Sequence, residues 1–307
     1  MLGVIGDLVQ DIVVWLEEEI RPATDTRSTI TMARGGSAAN VAAFAAPRCP
    51  TRFIGCVGED DLGGFVVTRD LTSRGVDVKV QQQGATGMIV VLIDEHGERT
   101  MFPSRGASGL IERVDDAWLD GVEILHLTGY SLQDEPSATS VLDAAARVKA
   151  AGGRVSFDVS STGMIDLYGV DRFTTLVERL APDFISANRD ESAQLRLVDA
   201  DGGPGEVLSR LGDAVLLARS GTDPTRIFRA GRLEASVPVQ PAPVVRDLTG
   251  AGDAFNAGFL SAVLRQRKSE ANLVPAVEAA HALARRVLAH PGANEGEIDN
   301  KTSTTDA

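Results

Sequence analysis

Short apolar runs alternate with longer amphipathic ones along most of the chain, the pattern of strands interleaved with helices. Leu2–Ile5, Thr51–Val57, Val122–Leu127, Arg154–Phe157, Phe184–Ala187 and Ala214–Ala218 read as strands, most with little polar alternation. Helices are expected over Leu62–Arg74, stopped by Gly75, and over Pro136–Ala151, stopped by Gly152-Gly153. In the second, Val141, Leu142, Ala145 and Val148 form one apolar face. Gly252–Leu264 and Pro275–Leu288 complete the helices. Strands without alternation must be covered on both sides, so the chain is expected to be α/β, with a mostly parallel sheet flanked by helices.

Two stretches break this rhythm. Residues 11–33 mix β-branched and polar positions (Ser28-Thr29-Ile30-Thr31-Met32). Residues 87–102 carry Met88-Ile89-Val90-Val91-Leu92-Ile93, a turn at Asp94-Glu95-His96-Gly97 and a return strand. They are expected to form a small inserted β-sheet, a lid in segments at about 11–34 and 86–104 of one domain spanning 1–293. Residues 294–307 are polar, without apolar periodicity, and are expected to fray.

The chemistry is concentrated after the strands. Asp7, Asp158, Asn188 and Arg219 each follow a strand end, where open α/β sheets bind ligands, although any loop starts with such residues. In Asp247-Leu248-Thr249-Gly250-Ala251-Gly252-Asp253-Ala254-Phe255, Gly250 and Gly252 let the backbone turn tightly just before a helix. The N–H groups of that helix start make an anion site. Asp253 at its mouth suits a base that deprotonates an attacking hydroxyl, and equally a helix cap. Gly35-Gly36-Ser37-Ala38-Ala39-Asn40 permits close backbone approach and offers an amide to a polyol. A carboxylate in Gly6-Asp7 or at Asp11 could accept bonds from sugar hydroxyls. Asn188 and Glu191 have the spacing to help hold a hydrated Mg²⁺, and also the spacing of a capping box. No Walker-type P-loop is present, and Phe255 stands where a dinucleotide fingerprint needs its third glycine.

Composition narrows the partners. At 307 residues, 43% hydrophobic and 24% charged, the chain is an ordinary globular protein, neither disordered nor fibrous. No apolar run approaches ~18 residues, so no membrane helix is expected. The N-terminus lacks a basic region and a long apolar stretch, so a cytoplasmic protein is expected. The net charge of −13 repels nucleic acid and anionic membranes. Cys49 and Cys56 are expected as buried thiols in a reducing compartment, and His96, His126, His281 and His290 have no metal-ligand spacing.

Taken in order, these segments resemble the ribokinase-like carbohydrate kinases, the pfkB family. Gly6–Asp11 resembles the opening substrate loop, Gly35–Asn40 the sugar motif, and Gly58-Glu59-Asp60-Asp61-Leu62-Gly63 the first signature. Glu98-Arg99-Thr100 and Arg105-Gly106-Ala107 resemble the lid's return strand and exit. Asn188–Glu191 resembles the Mg-associated motif, Asp247–Asp253 the second signature, and Pro291-Gly292-Ala293 the closing turn.

The resemblance implies a ribokinase-like fold and ATP-dependent phosphorylation of a hydroxyl of a small sugar or sugar derivative. It implies Asp253 as base and Gly250, Ala251 and Gly252 as the anion hole. Asp11, Gly36, Asn40 and Arg105 would contact the sugar; Asn188, Gly221 and His281 would contact ATP. Glu191 would position Mg²⁺, through water, and Asp247 would lie near a monovalent cation such as K⁺. A homodimer is expected through the lid, because free strand edges seek partners. The chain departs from the family's pattern at Leu248, at Arg219-Ser220 before Gly221, at Pro224 and at Ser37. Two other readings stand beside this one. A nucleoside kinase would use Trp15 or Phe102 of the lid to stack on a base, although packing within the lid core is the expectation for both. A catalytically silent sugar-binding regulator is opposed by the intact Gly250–Asp253 run.

Overall fold

The computed structural model describes residues 1–266 and 272–296. The strands are, in chain order, β1 (Leu2–Ile5), β2 (Val9–Leu16), β3 (Ser28–Gly35), β4 (Thr51–Val57), β5 (Asp77–Gln82), β6 (Gly87–Ile93) and β7 (Arg99–Ser104). After them come β8 (Ile124–Thr128), β9 (Arg154–Asp158), β10 (Phe184–Ala187), β11 (Val215–Ser220), β12 (Asp223–Arg229) and β13 (Arg232–Val237). The helices are α1 (Ser37–Ala45), α2 (Leu62–Ser73), α3 (Asp116–Leu119), α4 (Ser137–Ala150) and α5 (Thr162–Tyr168). They continue with α6 (Val170–Leu180), α7 (Arg189–Gln194), α8 (Glu206–Arg210), α9 (Ala251–Gln266) and α10 (Val274–Leu288).

The strands apolar on both sides lie at the centre of a nine-stranded sheet, in the order β13-β12-β11-β10-β9-β8-β1-β4-β5. From β5 to β11 every pairing is parallel; β12 and β13 add antiparallel at one edge. Successive side chains feed opposite cores. Leu2 and Val4 of β1 pack with α1, α9 and α10, whereas Ile5 packs on the other face with residues of α4 and α6. β1 is flanked by β4 and β8, so the chain leaves it in one direction and returns on its other side. Such a reversal opens a crevice at the carboxyl ends of the strands.

The remaining strands form a separate four-stranded sheet, β3-β2-β6-β7. They lie where the alternation at 11–33 and 87–102 placed them. The register puts Asp11 opposite Ala33 and Ile89, and Val13 opposite Thr31 and Val91. Asp11, Ile89, Met101 and Pro103 share the face turned toward the crevice. The opposite face carries Ile30, Met32, Met88 and Phe102, all exposed.

Several expectations need correction. Trp15 and Phe102 do not pack in a core of the small sheet: they are 42% and 54% exposed, because that sheet has no second layer to cover them. Leu142 is only half-buried, and Ala144 takes its place on the inner face of α4. The first residues of the tail are tied down: Glu295 is buried between Arg48 (2.5 Å) and Arg286 (2.6 Å). The rest of the tail, 297–307, lies outside the described residues. The edge strands β5, β12 and β13 went unmarked by the pattern, because their half-exposed sequences carry too many charges for an apolar run.

Candidate active site

The crevice holds a cavity of about 620 Å³, lined by residues of the loops after β1, β8, β9 and β10, the ends of β11 and α9, and the small sheet. Its floor begins with a helix that cannot cap itself. Gly36 precedes α1 and has no side chain to accept its N–H groups. Asp7 does so instead, from beyond β1: Oδ2 accepts from Ser37 N (3.0 Å) and Oδ1 from Ala38 N (3.3 Å). Gly36 has φ +99°, and a Cβ there would lie 2.5 Å from the Asp7 carbonyl oxygen, so only glycine fits. Asp7 is thereby committed to structure rather than to a ligand.

Ser37 and Asn40, one turn apart on α1, reach the first turn of α9. Ser37 Oγ donates to Asp253 Oδ1 at 2.6 Å, and Asn40 Nδ2 donates to Asp253 Oδ2 at 2.8 Å. Arg34 fixes which end of the Asn40 amide faces Asp253, because its Nη1 donates to Asn40 Oδ1 at 2.6 Å. Arg34 is itself paired to Asp70 of α2 at 2.9 Å. Burial pushes the Asp253 carboxyl up to about 7, against the pull of Ser37 and Asn40; Asp158 and Asp7 add to the rise. Just before it, Gly250 turns the chain with φ +78°. The first N–H groups of this 16-residue helix have no intrahelical acceptor and carry its positive end. The Asp253 carboxylate thus lies beside the open first turn of α9.

Asp11 looks into the cavity from β2, and its Oδ1 is buried without a hydrogen-bond partner. Burial pushes it up to about 6, opposed by Arg34 and assisted by Asp7. Arg105, at the exit of the small sheet, lines the cavity while donating to Asp134 Oδ2 and the Tyr130 carbonyl, both at 2.8 Å.

At the far end Asn188 and Glu191 form the capping box their spacing allows, and both still line the cavity. Burial pushes Glu191 up to about 7, with Asp158 adding and Arg219 opposing. Asp158 accepts from Asn256 Nδ2 at 2.6 Å and from Arg219 Nη2 at 3.0 Å. Among the described residues no three His, Cys, Asp or Glu side chains are set to enclose a metal ion. Two buried carboxylates facing a cavity do fit Mg²⁺, which keeps most of its waters and takes the rest of its ligands from a phosphate.

Other expectations fall outside this cavity. Asp247 does not line the cavity. Its Oδ1 accepts from Thr249 N (2.7 Å) and its Oδ2 from Gly292 N (2.7 Å), and the Arg99 guanidinium sits on Oδ2 at 2.7 Å. Those bonds engage both oxygens and set a positive charge beside Oδ2. Gly221 lies in the two-residue turn from β11 to β12, and Ala251 and His281 do not line the cavity either. The His281 ring shares a hydrogen with Thr225 Oγ1 at 2.8 Å; burial and Arg285 lower its pKa. Arg34 and Asn256 belong to the site and were not singled out for it, Ser37 was named only as part of its motif, and Arg219 only by its place after a strand. For Arg34 and Asn256 only spatial proximity reveals it.

The pattern described as pfkB family carbohydrate kinase matches residues 1–300. A fructokinase of Klebsiella pneumoniae is 31% identical over 269 residues, covering 85% of this chain and 83% of that one. Aminoimidazole riboside kinase from Salmonella enterica, solved with aminoimidazole riboside and an ATP analog, superposes with a TM-score of 0.76 at 26% identity, covering 95% and 94% of the two chains. Adenosine kinase from Sinorhizobium meliloti shares the fold, with a TM-score of 0.80 at 23% identity over 95% and 94% of the chains.

Burial of three carboxylates gives stability a predictable pH dependence. Asp11, Glu191 and Asp253 have folded-state values near 6 to 7, above their values in an open chain. Through this window the folded protein holds protons the unfolded chain has released, so stability is lost as pH rises through it. Asp253→Asn removes one buried charge. Its Tm relative to wild type is expected to climb between pH 5 and pH 8, worth on the order of 1–3 kcal/mol. A difference that stays constant with pH rules out the buried-charge account.

Proposed function

The chain belongs to the pfkB family of carbohydrate kinases and is a carbohydrate kinase, and from that premise we propose that it uses ATP to phosphorylate a hydroxyl of a small sugar, with Asp253 as general base. The observation that carries this reading is the single carboxylate buried against the open start of α9, held from two sides by Ser37 and Asn40. A static phosphate site would not place a negative charge there. A base for an attacking hydroxyl belongs there.

The acceptor hydroxyl lies between Asp253 and the first turn of α9. As its oxygen bonds to the γ-phosphorus, the bond to the β-phosphate oxygen breaks and the hydroxyl proton passes to Asp253. The Gly250–Gly252 turn holds the transferring phosphoryl with backbone N–H groups, which need no reorganisation as charge moves. Ser37 is a hydroxyl and can turn aside for the acceptor, while Asn40, locked by Arg34, keeps Asp253 in place. Asp11 and Arg105 hold the sugar. The Asp11 carboxylate lines the cavity as an acceptor for a hydroxyl donor. Asp158 and Glu191 would hold hydrated Mg²⁺, which neutralises phosphate charge when bound. The small sheet is a lid whose inner face (Asp11, Ile89, Met101) shields the reaction from water. Trp15, exposed on that same face, favours a nucleoside acceptor as the second reading. Two copies of the chain pair through the lid, burying the apolar outer face around Ile30, Met32, Met88 and Phe102.

With a panel of fructose, ribose and adenosine, ATP consumption is expected with a sugar. Asp253→Asn should lower turnover by about 10²–10⁴ without lowering Tm. Near-normal turnover would reduce Asp253 to a structural residue. Because the base must be ionised, kcat/KM should fall about tenfold per unit once pH drops below about 7.

Glu191→Gln should raise the Mg²⁺ concentration needed for half-maximal rate, while a variant with wild-type Mg²⁺ dependence would leave Glu191 only its capping role.

The double substitution Met32→Glu with Phe102→Glu should turn a dimer into a monomer in sedimentation. Wild-type protein that sediments as a monomer removes the pairing altogether.

A further inference from the structure

β11 ends in an arginine that its neighbourhood does not fully use. Arg219 is mostly buried, with its side chain 17% exposed. Nη2 donates to Asp158 Oδ2 at 3.0 Å and lies 3.9 Å from Glu191 Oε2. The guanidinium carbon stands 5.8 Å from the centre of the Phe255 ring. Its other edge turns to α9: a Cβ on Gly252 would meet Nη1 at 2.6 Å. Nε is buried with no hydrogen-bond partner. A donor left unpaired in a buried site costs stability unless a ligand satisfies it.

The charges lining the cavity sharpen the point. Asp7, Asp11, Asp158, Glu191 and Asp253 are acidic, and among the described residues lining the cavity only Arg105 and Arg219 are cationic. The Arg105 charge is balanced by Asp134, and it also donates to the Tyr130 carbonyl. Among the described residues, Arg219 is therefore the cation beside the first turn of α9.

We propose that Arg219 is a catalytic residue of the phosphoryl transfer, the Nη1 end that faces the start of α9 donating to the oxygens of the phosphoryl group as that group passes from ATP to the acceptor. This rests on the kinase reading above. Asp158 holds the guanidinium in place from behind, and the Phe255 ring limits its swing. The planar fork matches two phosphoryl oxygens at once, which an ammonium group does not. The opposing account makes Arg219 only a counter-ion to Asp158 and Glu191.

Three variants separate the two: Arg219→Ala, Arg219→Lys and Arg219→Gln, measured beside wild type with the best acceptor of the sugar panel. The expected result is a kcat loss of about 10²-fold or more for each, with the KM for ATP changed much less, since the contact forms chiefly in the transition state. Arg219→Lys keeps the counter-charge, so it should retain the wild-type Tm and still lack turnover. Guanidinium ion should restore part of the turnover of Arg219→Ala. Binding of ADP alone should survive in all three, whereas binding of ADP with aluminium fluoride, a mimic of the transferring group, should weaken strongly. Wild-type turnover in Arg219→Lys, or equal binding of ADP with aluminium fluoride by wild type and variants, overturns the proposal and leaves the kinase reading standing. Wild-type protein that consumes no ATP with any acceptor overturns both.

Discussion

A single carboxylate, Asp253, is gripped by two helices whose relevant residues are more than two hundred positions apart in sequence. Helix α1 reaches it with Ser37 and Asn40, and α9 carries it in the first turn. The grip has a cost. A carboxylate this deep is driven toward its protonated form. The surrounding structure limits that cost with two direct hydrogen bonds and with Arg34, which orients one of the donors. The same contacts join the beginning and the end of the large sheet's helical layer, so the site and the fold share one set of bonds.

That network extends in two directions. Arg34 belongs to β3 of the small sheet and pairs with Asp70 of α2, so the sheet's base is tied to the body beneath it. At the sheet's outer end Arg99 pairs with Asp247 and donates to Thr249, the residues leading into the Gly250 turn. The small sheet is thus fastened at both ends, to α2 and to the segment that leads into α9. Its position and the start of α9 are joined by named ion pairs and hydrogen bonds.

The cavity is strongly acidic. Asp158 lies close enough to Glu191 to hinder its ionisation. Arg219 sits between them and the start of α9 and balances part of that charge. A divalent cation and a phosphate entering together would complete the balance. An acidic site that is incomplete alone favours the pair over either partner.

The sequence by itself determined the layered architecture, because strands apolar on both sides admit only a covered parallel sheet, and β-branched alternation at 11–33 and 87–102 admits only a second, half-exposed one. It also marked Asp253 and the Gly250–Gly252 turn, since local chemistry fixes a helix start and its charge. Tertiary structure alone decided what each marked residue does with its oxygens. Asp7 and Asp11 read alike along the chain, yet one is consumed by capping α1 and the other keeps an unpaired oxygen and lines the cavity. Asp247 was marked by its motif, but its pairing with Arg99, from a distant strand, shows only in the fold. Trp15 and Phe102 looked like core residues until the small sheet proved to lack a covering layer. Each of these outcomes depends on a partner far away in sequence, and burial and pairing are properties of the folded surroundings, which no local pattern carries.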